Sequence, residues 1–578
     1  IVRDLGEAGG GRTSFAILRL PQGEFAFYNR LDPLRRPLTL NDRHGIRHEL
    51  LPAPADDLLR GKILESDVLN NTQVVVTPSG EVFSVTVKAE TLDKETAVRV
   101  GLPRYLNVWG QRASAHEAHA PRMIWRGYNG SQMEYEQLPS GRLIVPYGSF
   151  QPHGKTEPPH GRHKTIVQLS DDLGNTWRES PSQLVSPCYP GFNGSNEGAC
   201  EPTIERLRDG RIWMLMRTQA GFLYESLSED EGETWSTAAA SRFHTSTGPA
   251  NILRHRNGWL VVTWNNCELP PRADGQGVYG GRDALHIAVS DDDGATWRGF
   301  REIYLDHRRN DNPARSGDRG TAYPLGAFTR DGRLVVLSGQ GEGGRNPILI
   351  DPEWITATAA TTDFADGLEQ WSVYKHFGPA KGWWRGRTSG ARLVPNPLAS
   401  GKMSLELARR DELPPDGATW NFPNGWAGRL TARVLVRSGS AGGLLSLNDR
   451  MFDPCNDAGE ELAVFRVAWP RDSAAGELAL APDQWHDVSL EWDLSRDACR
   501  VTVDDKFVRD VPLQNPTLNG ISYVRFRSTA RDVDAAGFLV DRVDVRITEP
   551  RAPIRSAEEK RAHEQQYIQT VVPRWVRR

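Results

Sequence analysis

Three copies of one octapeptide constrain this chain more than anything else in it. Residues 170–177 read SDDLGNTW, 228–235 read SEDEGETW and 290–297 read SDDDGATW, all of the form Ser-x-Asp-x-Gly-x-Thr-Trp, at intervals of 58 and 62 residues. A repeat of that period marks one supersecondary unit copied along the chain, each too small to bury its faces alone and therefore stacked on its neighbours. The Ser and Asp side chains are suited to hydrogen-bond turn amides, the Gly to take a positive φ, and the Trp to pack under the turn between neighbouring sheets. These residues are structural, and no catalytic role attaches to them.

A second repeat, strand–turn–Gly–strand, recurs at Gly23, Gly80, Gly141, Gly210, Gly258 and Gly332, spaced by 48 to 74 residues. Each reads as a hairpin, and the spacing leaves room for a four-stranded sheet apiece. The expected fold is therefore all-β: a six-bladed β-propeller over residues 1–358, with a seven-bladed ring using part of residues 90–130 as the alternative. From about Asp363 the repeat stops. Alternating strands at 430–438, 486–494, 499–505 and 538–547 predict a β-sandwich of jelly-roll or concanavalin type over 359–549. Trp383, Trp384 and Trp420 fall in it, either as core packing or as platforms for sugar rings. Residues 550–578 predict a helical tail lying on the surface, with Ser556 at its N-cap.

Composition narrows the partners. The 18 Trp, 55 Gly and 38 Pro suit many short strands joined by turns, and 70 Lys+Arg against 74 Asp+Glu argue against a nucleic acid or a membrane surface as partner. No apolar run approaches the ~20 residues that cross a bilayer. Five cysteines are too few for a disulfide framework and lack zinc spacing, although Cys188 and Cys200 are near enough in sequence to close a short loop. No cofactor or metal is implied. The chain opens on Ile1 rather than Met, as after removal of a leader or tag. Because sugar-active β-proteins meet polymers outside the cytosol, a secreted or periplasmic location is expected.

The octapeptide resembles the Asp-box, or BNR repeat, of the sialidase (neuraminidase) superfamily, and further positions extend the likeness across roughly residues 130–350. In EPTIERLRDGRIWMLMR, Glu201 stands eight residues before Asp209 and Arg217 eight after it, the family's spacing for the Glu that activates the nucleophile and for a carboxylate-binding Arg. Tyr323 precedes Asp331 by eight, where sialidases carry their nucleophilic Tyr, with Tyr-Pro here for the usual Tyr-Ser. Arg282 precedes a strand and its Asp-box as a further family Arg does, and GRLIVP at 141–146 matches the third blade. The first blade departs from the pattern: Arg12 is the candidate for the third Arg without the usual Ile-Pro, and Asp42, with Asp32 as competitor, for the acid/base.

What the resemblance implies is an exo-acting retaining glycoside hydrolase releasing a terminal carboxylated sugar, sialic acid or a related 2-keto acid, from an oligosaccharide or glycoconjugate. Planar guanidinium groups bind a carboxylate through paired charged hydrogen bonds, and a neutral Tyr nucleophile avoids the repulsion a carboxylate would meet. One loop suggests another chemistry. QPHGKTEPPHGRHK places His153, His160, Arg162 and His163 where the family lines its pocket, and His with Arg and Tyr is also the inventory of a uronate-directed polysaccharide lyase working by β-elimination. A non-catalytic glycan-binding propeller is the third reading, favoured if Tyr323 and Glu201 stand beyond hydrogen-bonding distance.

Overall fold

The computed structural model describes residues 81–576 for the most part, with residues 73–77 and the strands Val2–Arg3, Phe15–Arg19, Phe25–Asn29, Leu38–Asn41 and Arg47–Leu50; residues 115–116, 131–133, 151–160, 188–197, 269–281, 306–319, 341–345, 471–477 and a few shorter stretches lie outside the description. The described chain is all-β apart from short helices and one long C-terminal helix.

Three successive antiparallel meanders of four strands follow the octapeptides. They run Glu136–Gln137, Leu143–Phe150, His163–Ser170, Arg178–Glu179; then Cys200–Arg206, Ile212–Arg217, Phe222–Ser228, Ala239–His244; then Asn251–Arg254, Leu260–Trp264, Ala284–Ser290, Arg298–Leu305. Every octapeptide joins the third strand of its sheet to the fourth. The three turns are superposable in their bonding: the Ser hydroxyl donates to the Asp and accepts the Gly amide at 2.8 Å, and the Asp accepts the Thr amide at 2.8 Å. The Gly takes φ of 83°, 85° and 93°, where a side chain would be strained. Trp177 lies 5.8 Å from Phe83 and Trp297 5.9 Å from Trp213, each partner on the preceding sheet. Strands such as Ile212–Arg217 and Ala284–Ser290 are buried throughout, the continuous apolar pattern of strands covered on both faces.

A further sheet, Leu325–Phe328, Leu334–Ser338 and Asn346–Ile350, receives Val2–Arg3 as its fourth strand, Val2 opposite Leu349. The N-terminal region departs from expectation. Instead of two separate four-stranded sheets, one six-stranded sheet runs Phe25–Asn29, Phe15–Arg19, Gln73–Val76, Val82–Thr91, Arg104–Ala113, Arg122–Trp125. The first hairpin joins it by a parallel pairing of Phe15–Arg19 with Gln73–Val76, and a two-stranded hairpin, Leu38–Asn41 with Arg47–Leu50, stands apart. With no octapeptide there to fix the third-to-fourth strand turn, local sequence leaves the pairing partner open.

Beyond residue 359 two more sheets enclose one core. Leu405, Leu430, Val434 and Val543 from one meet Trp420, Phe422, Leu445 and Phe526 from the other. Trp420 is stacked on Trp371 at 5.9 Å inside this core, so it packs and presents no face to a sugar; the side chains of Trp383 and Trp384 lie outside the description. This half is bolted to the octapeptide sheets: Arg242 donates to Asn519 Oδ1 and Tyr523 to Glu302, at 2.8 Å each, and Arg450 to Glu268 at 2.7 Å, all substantially buried.

The C-terminal helix, Ala557–Val576, starts at the expected cap. The Glu559 amide donates to Ser556 Oγ and the Ser556 amide to Glu559, a reciprocal box that satisfies two orphan donors. It does not lie free on the surface as the charged sequence suggests. Glu564, Tyr567 and Val571 are buried against the sheet of Cys200–His244, because these apolar and hydrogen-bonding side chains fall on one face of a mostly polar helix.

Candidate active site

In an antiparallel meander the start of strand one, the end of strand two and the start of strand three share one edge. Glu201 begins a first strand, Arg217 ends a second, Arg282 lies just before a third, and Tyr323 just before another first strand. The octapeptides, after third strands, sit at the opposite edge. Strand parity alone therefore separates the chemistry-bearing side chains from the structural turns.

The four converge. The Tyr323 hydroxyl donates to Glu201 Oε1 at 2.8 Å, and Arg217 Nη1 donates to Glu201 Oε2 at 2.7 Å and to the Tyr323 oxygen at 3.2 Å. The Arg282 guanidinium is centred 5.4 Å from the Tyr323 ring and gives Nη2–H to the Thr247 carbonyl at 2.8 Å. All four residues are buried, Arg282 completely. In such a low-dielectric setting the Glu201–Arg217 contact is a charge-assisted hydrogen bond from the same guanidinium nitrogen that reaches the phenol. A phenol so placed has a proton acceptor within reach and a cation beside the oxygen that would gain charge, the arrangement of an activated nucleophile.

The backbone is strained at both Glu201 and Tyr323. Glu201 has φ 45° and Tyr323 φ 59°, in the left-handed region that costs an ordinary residue about 1–3 kcal/mol and that clusters at functional sites. A register shift between Cys200 and Thr203 marks the bulge that turns Glu201 inward. Pro202 and Pro324 follow the two residues, so neither kink leaves an amide donor to satisfy. Gly130, at φ 76°, lies against the Glu201 carboxylate, its absent Cβ 3.5 Å from Oε1.

One member of this neighbourhood escaped the sequence reading. Glu134 is buried and accepts from Thr203 Oγ1 at 2.8 Å and Asn251 Nδ2 at 3.1 Å, while Asn251 Oδ1 accepts the Gly326 amide at 2.7 Å. It thus ties together the first strands of three sheets beneath Glu201 and Tyr323. Nothing in its local sequence, SQMEYE, signals that position.

Arg12, Asp42, His153 and His160 lie outside the described residues, as do Asp32 and Cys188. His163 is not a loop residue. It opens a strand opposite Phe150 and is buried with its ring 5.1 Å from that of Phe150, which makes it a packing residue. Among the described residues no three His, Cys, Asp or Glu side chains converge as a metal-binding set, and no helix is long and apolar enough to cross a membrane.

The class these features define is an all-β repeat protein in which strand ends from different sheets converge on a buried Tyr–Glu–Arg centre. Residues 67–336, a little under half of the chain, match the family described as a BNR repeat-like domain. No curated protein matches the chain in sequence. Among solved structures it is similar to Trypanosoma rangeli sialidase in complex with sialic acid, at 12% identity and TM-score 0.34, covering 97% of this chain and 94% of that one. The same enzyme in complex with the inhibitor DANA gives 12% identity and TM-score 0.33 over the same coverage. A protein of unknown function from Dyadobacter fermentans DSM 18053 gives 13% identity and TM-score 0.35, covering 58% of this chain and 94% of that one.

Proposed function

We propose that this protein is a retaining glycoside hydrolase of sialidase type, releasing a terminal 2-keto acid sugar at the centre of a six-bladed β-propeller. The observation that carries the reading is the 2.8 Å contact between the Tyr323 hydroxyl and Glu201, with Arg217 bonded to both. The pairing of Val2–Arg3 into the last repeated sheet supports a ring joined by its two ends.

In this mechanism Arg217 and Arg282, with Arg12 as the candidate third, bind the sugar carboxylate. The Tyr323 oxygen attacks the anomeric carbon while its proton passes to Glu201, and the departing aglycone oxygen takes a proton from Asp42, the proposed acid. A water then attacks the glycosyl–tyrosine bond, giving its proton to Asp42, and the phenolate regains its own from Glu201. Two displacements at one carbon retain its configuration.

The test is release of the aryl group from an aryl α-sialoside, run beside ultraviolet detection of unsaturated uronate in mixed uronate polysaccharides. Aryl release that falls by about a thousandfold or more in Tyr323→Phe, roughly 4 kcal/mol of barrier, with the fold intact, is expected. Wild-type turnover in both Tyr323→Phe and Glu201→Gln would sink the hydrolase; absorbance that rises instead would establish the lyase.

A further inference from the structure

We propose that the C-terminal helix is a positioning element of the active site, holding through Tyr567 and His563 the two turns that set Arg217 and Arg282. The inference rests on the role just assigned to those arginines and extends it to a segment some 280 to 350 residues away in sequence.

Arg217 ends its strand and leads into the turn 218–221, which Thr218 closes by donating to the Phe222 carbonyl and accepting the Ala220 amide. Gly221, at φ 87°, lies directly beneath the Tyr567 ring: any Cβ there would run into it. The Gly221 carbonyl in turn accepts the Thr245 amide at 2.9 Å, so the same glycine joins the Arg217 turn to the segment that serves Arg282. That segment starts at His244, a buried ring 4.2 Å from Phe222, 5.2 Å from Tyr567 and 5.3 Å from His563, with its Nε2 3.1 Å from that of His563. The His244 carbonyl accepts Trp264 Nε1–H at 2.8 Å, and three residues on, the Thr247 carbonyl accepts Arg282. Two side chains of one helix therefore close over both turns. Tyr567 is itself fixed from the far side by donation to Glu268 at 2.7 Å, a residue also held by Arg450.

A guanidinium displaced by less than an ångström still carries its charge but loses the paired geometry that a carboxylate needs. The consequence of loosening the helix is accordingly a loss of carboxylate recognition rather than of the fold. Tyr567→Ala and Gly221→Ala perturb the contact from its two sides, and Tyr567→Phe keeps the ring while removing only the bond to Glu268. The experiment measures binding of methyl α-2-thiosialoside and of its C1-alcohol analogue to the full chain, with thermal melting alongside.

Wild type is expected to prefer the carboxylate. Tyr567→Ala and Gly221→Ala should each lose about tenfold in affinity for it, leave the alcohol unchanged, and add nothing further in an Arg282→Met background, whereas Tyr567→Phe should bind both as wild type does. Equal losses for both ligands, additive losses with Arg282→Met, or unchanged carboxylate binding in two folded variants would each overturn the proposal. Wild type indifferent to the carboxylate would overturn the assigned function, and this inference with it. If Tyr567→Ala does not fold, Gly221→Ala, which removes no buried side chain, decides alone.

Discussion

Two histidines are buried where a second proton has nowhere to go. His286 Nδ1 accepts the Asn266 amide at 3.1 Å, and its Nε2 meets the Tyr523 hydroxyl, which donates onward to Glu302. Protonated, Nδ1 would point one N–H at another. His244 sits between three aromatic rings with the Arg450 charge nearby. Burial first, and that charge second, push His244 well below the usual imidazole range, and burial pushes His286 down to about 3. His563, part-buried beside His244, moves the same way, to about 4. For groups with depressed imidazole values the unfolded chain takes up protons first. Stability is then complete above the unfolded value of about 6.5 and is lost as pH falls toward the folded values. At pH 5, about one and a half units below the unfolded value and above the folded value of about 3, His286 alone costs roughly 2 kcal/mol, and His244 costs stability in the same direction. About 2 kcal/mol is already a substantial share of the 5–15 kcal/mol typical of a folded domain. Urea unfolding followed by tryptophan fluorescence at pH 7.5 and 5 checks it. His244→Phe, which keeps a ring among its neighbours, should shrink the acid loss. Equal stability at the two pH values, or an acid loss unchanged by His244→Phe, would refute the reasoning.

Two other outcomes follow from particular contacts. Arg450→Met leaves Glu268 and Asp449, both buried and bonded to that guanidinium at 2.7 and 2.6 Å, without their cation; a loss of about 3–5 kcal/mol is expected, read as a lower urea midpoint and earlier proteolytic cleavage between the halves. Asp230→Ala removes the acceptor of three bonds in one octapeptide turn. It should cost about 1–3 kcal/mol and leave kcat/KM untouched, because that turn is at the sheet edge opposite Tyr323; a fall in kcat/KM in folded protein would contradict the strand-parity argument.

The sequence by itself determined the all-β class, the octapeptide turns and the helix cap at Ser556, while the four converging side chains were singled out by the resemblance to sialidases. The turns and the cap were legible because each depends on residues a few positions apart: a Ser and an Asp bonding their own turn, a glycine at positive φ, and a Ser and a Glu three residues on exchanging bonds at a helix start. Tertiary structure decided the rest. Tyr323 meets Glu201 across 122 positions and Tyr567 meets Glu268 across 299. Such contacts exist only once whole sheets have stacked. The N-terminal hairpin pairs in parallel with a strand some 55 residues on, a helix with a charged sequence buries one face, Trp420 turns inward, and Glu134 ties three strands from a stretch without pattern. A hydrogen-bonded turn is selected by its own residues, whereas a side chain's burial and its distant partner depend on which surfaces the remaining chain brings against it.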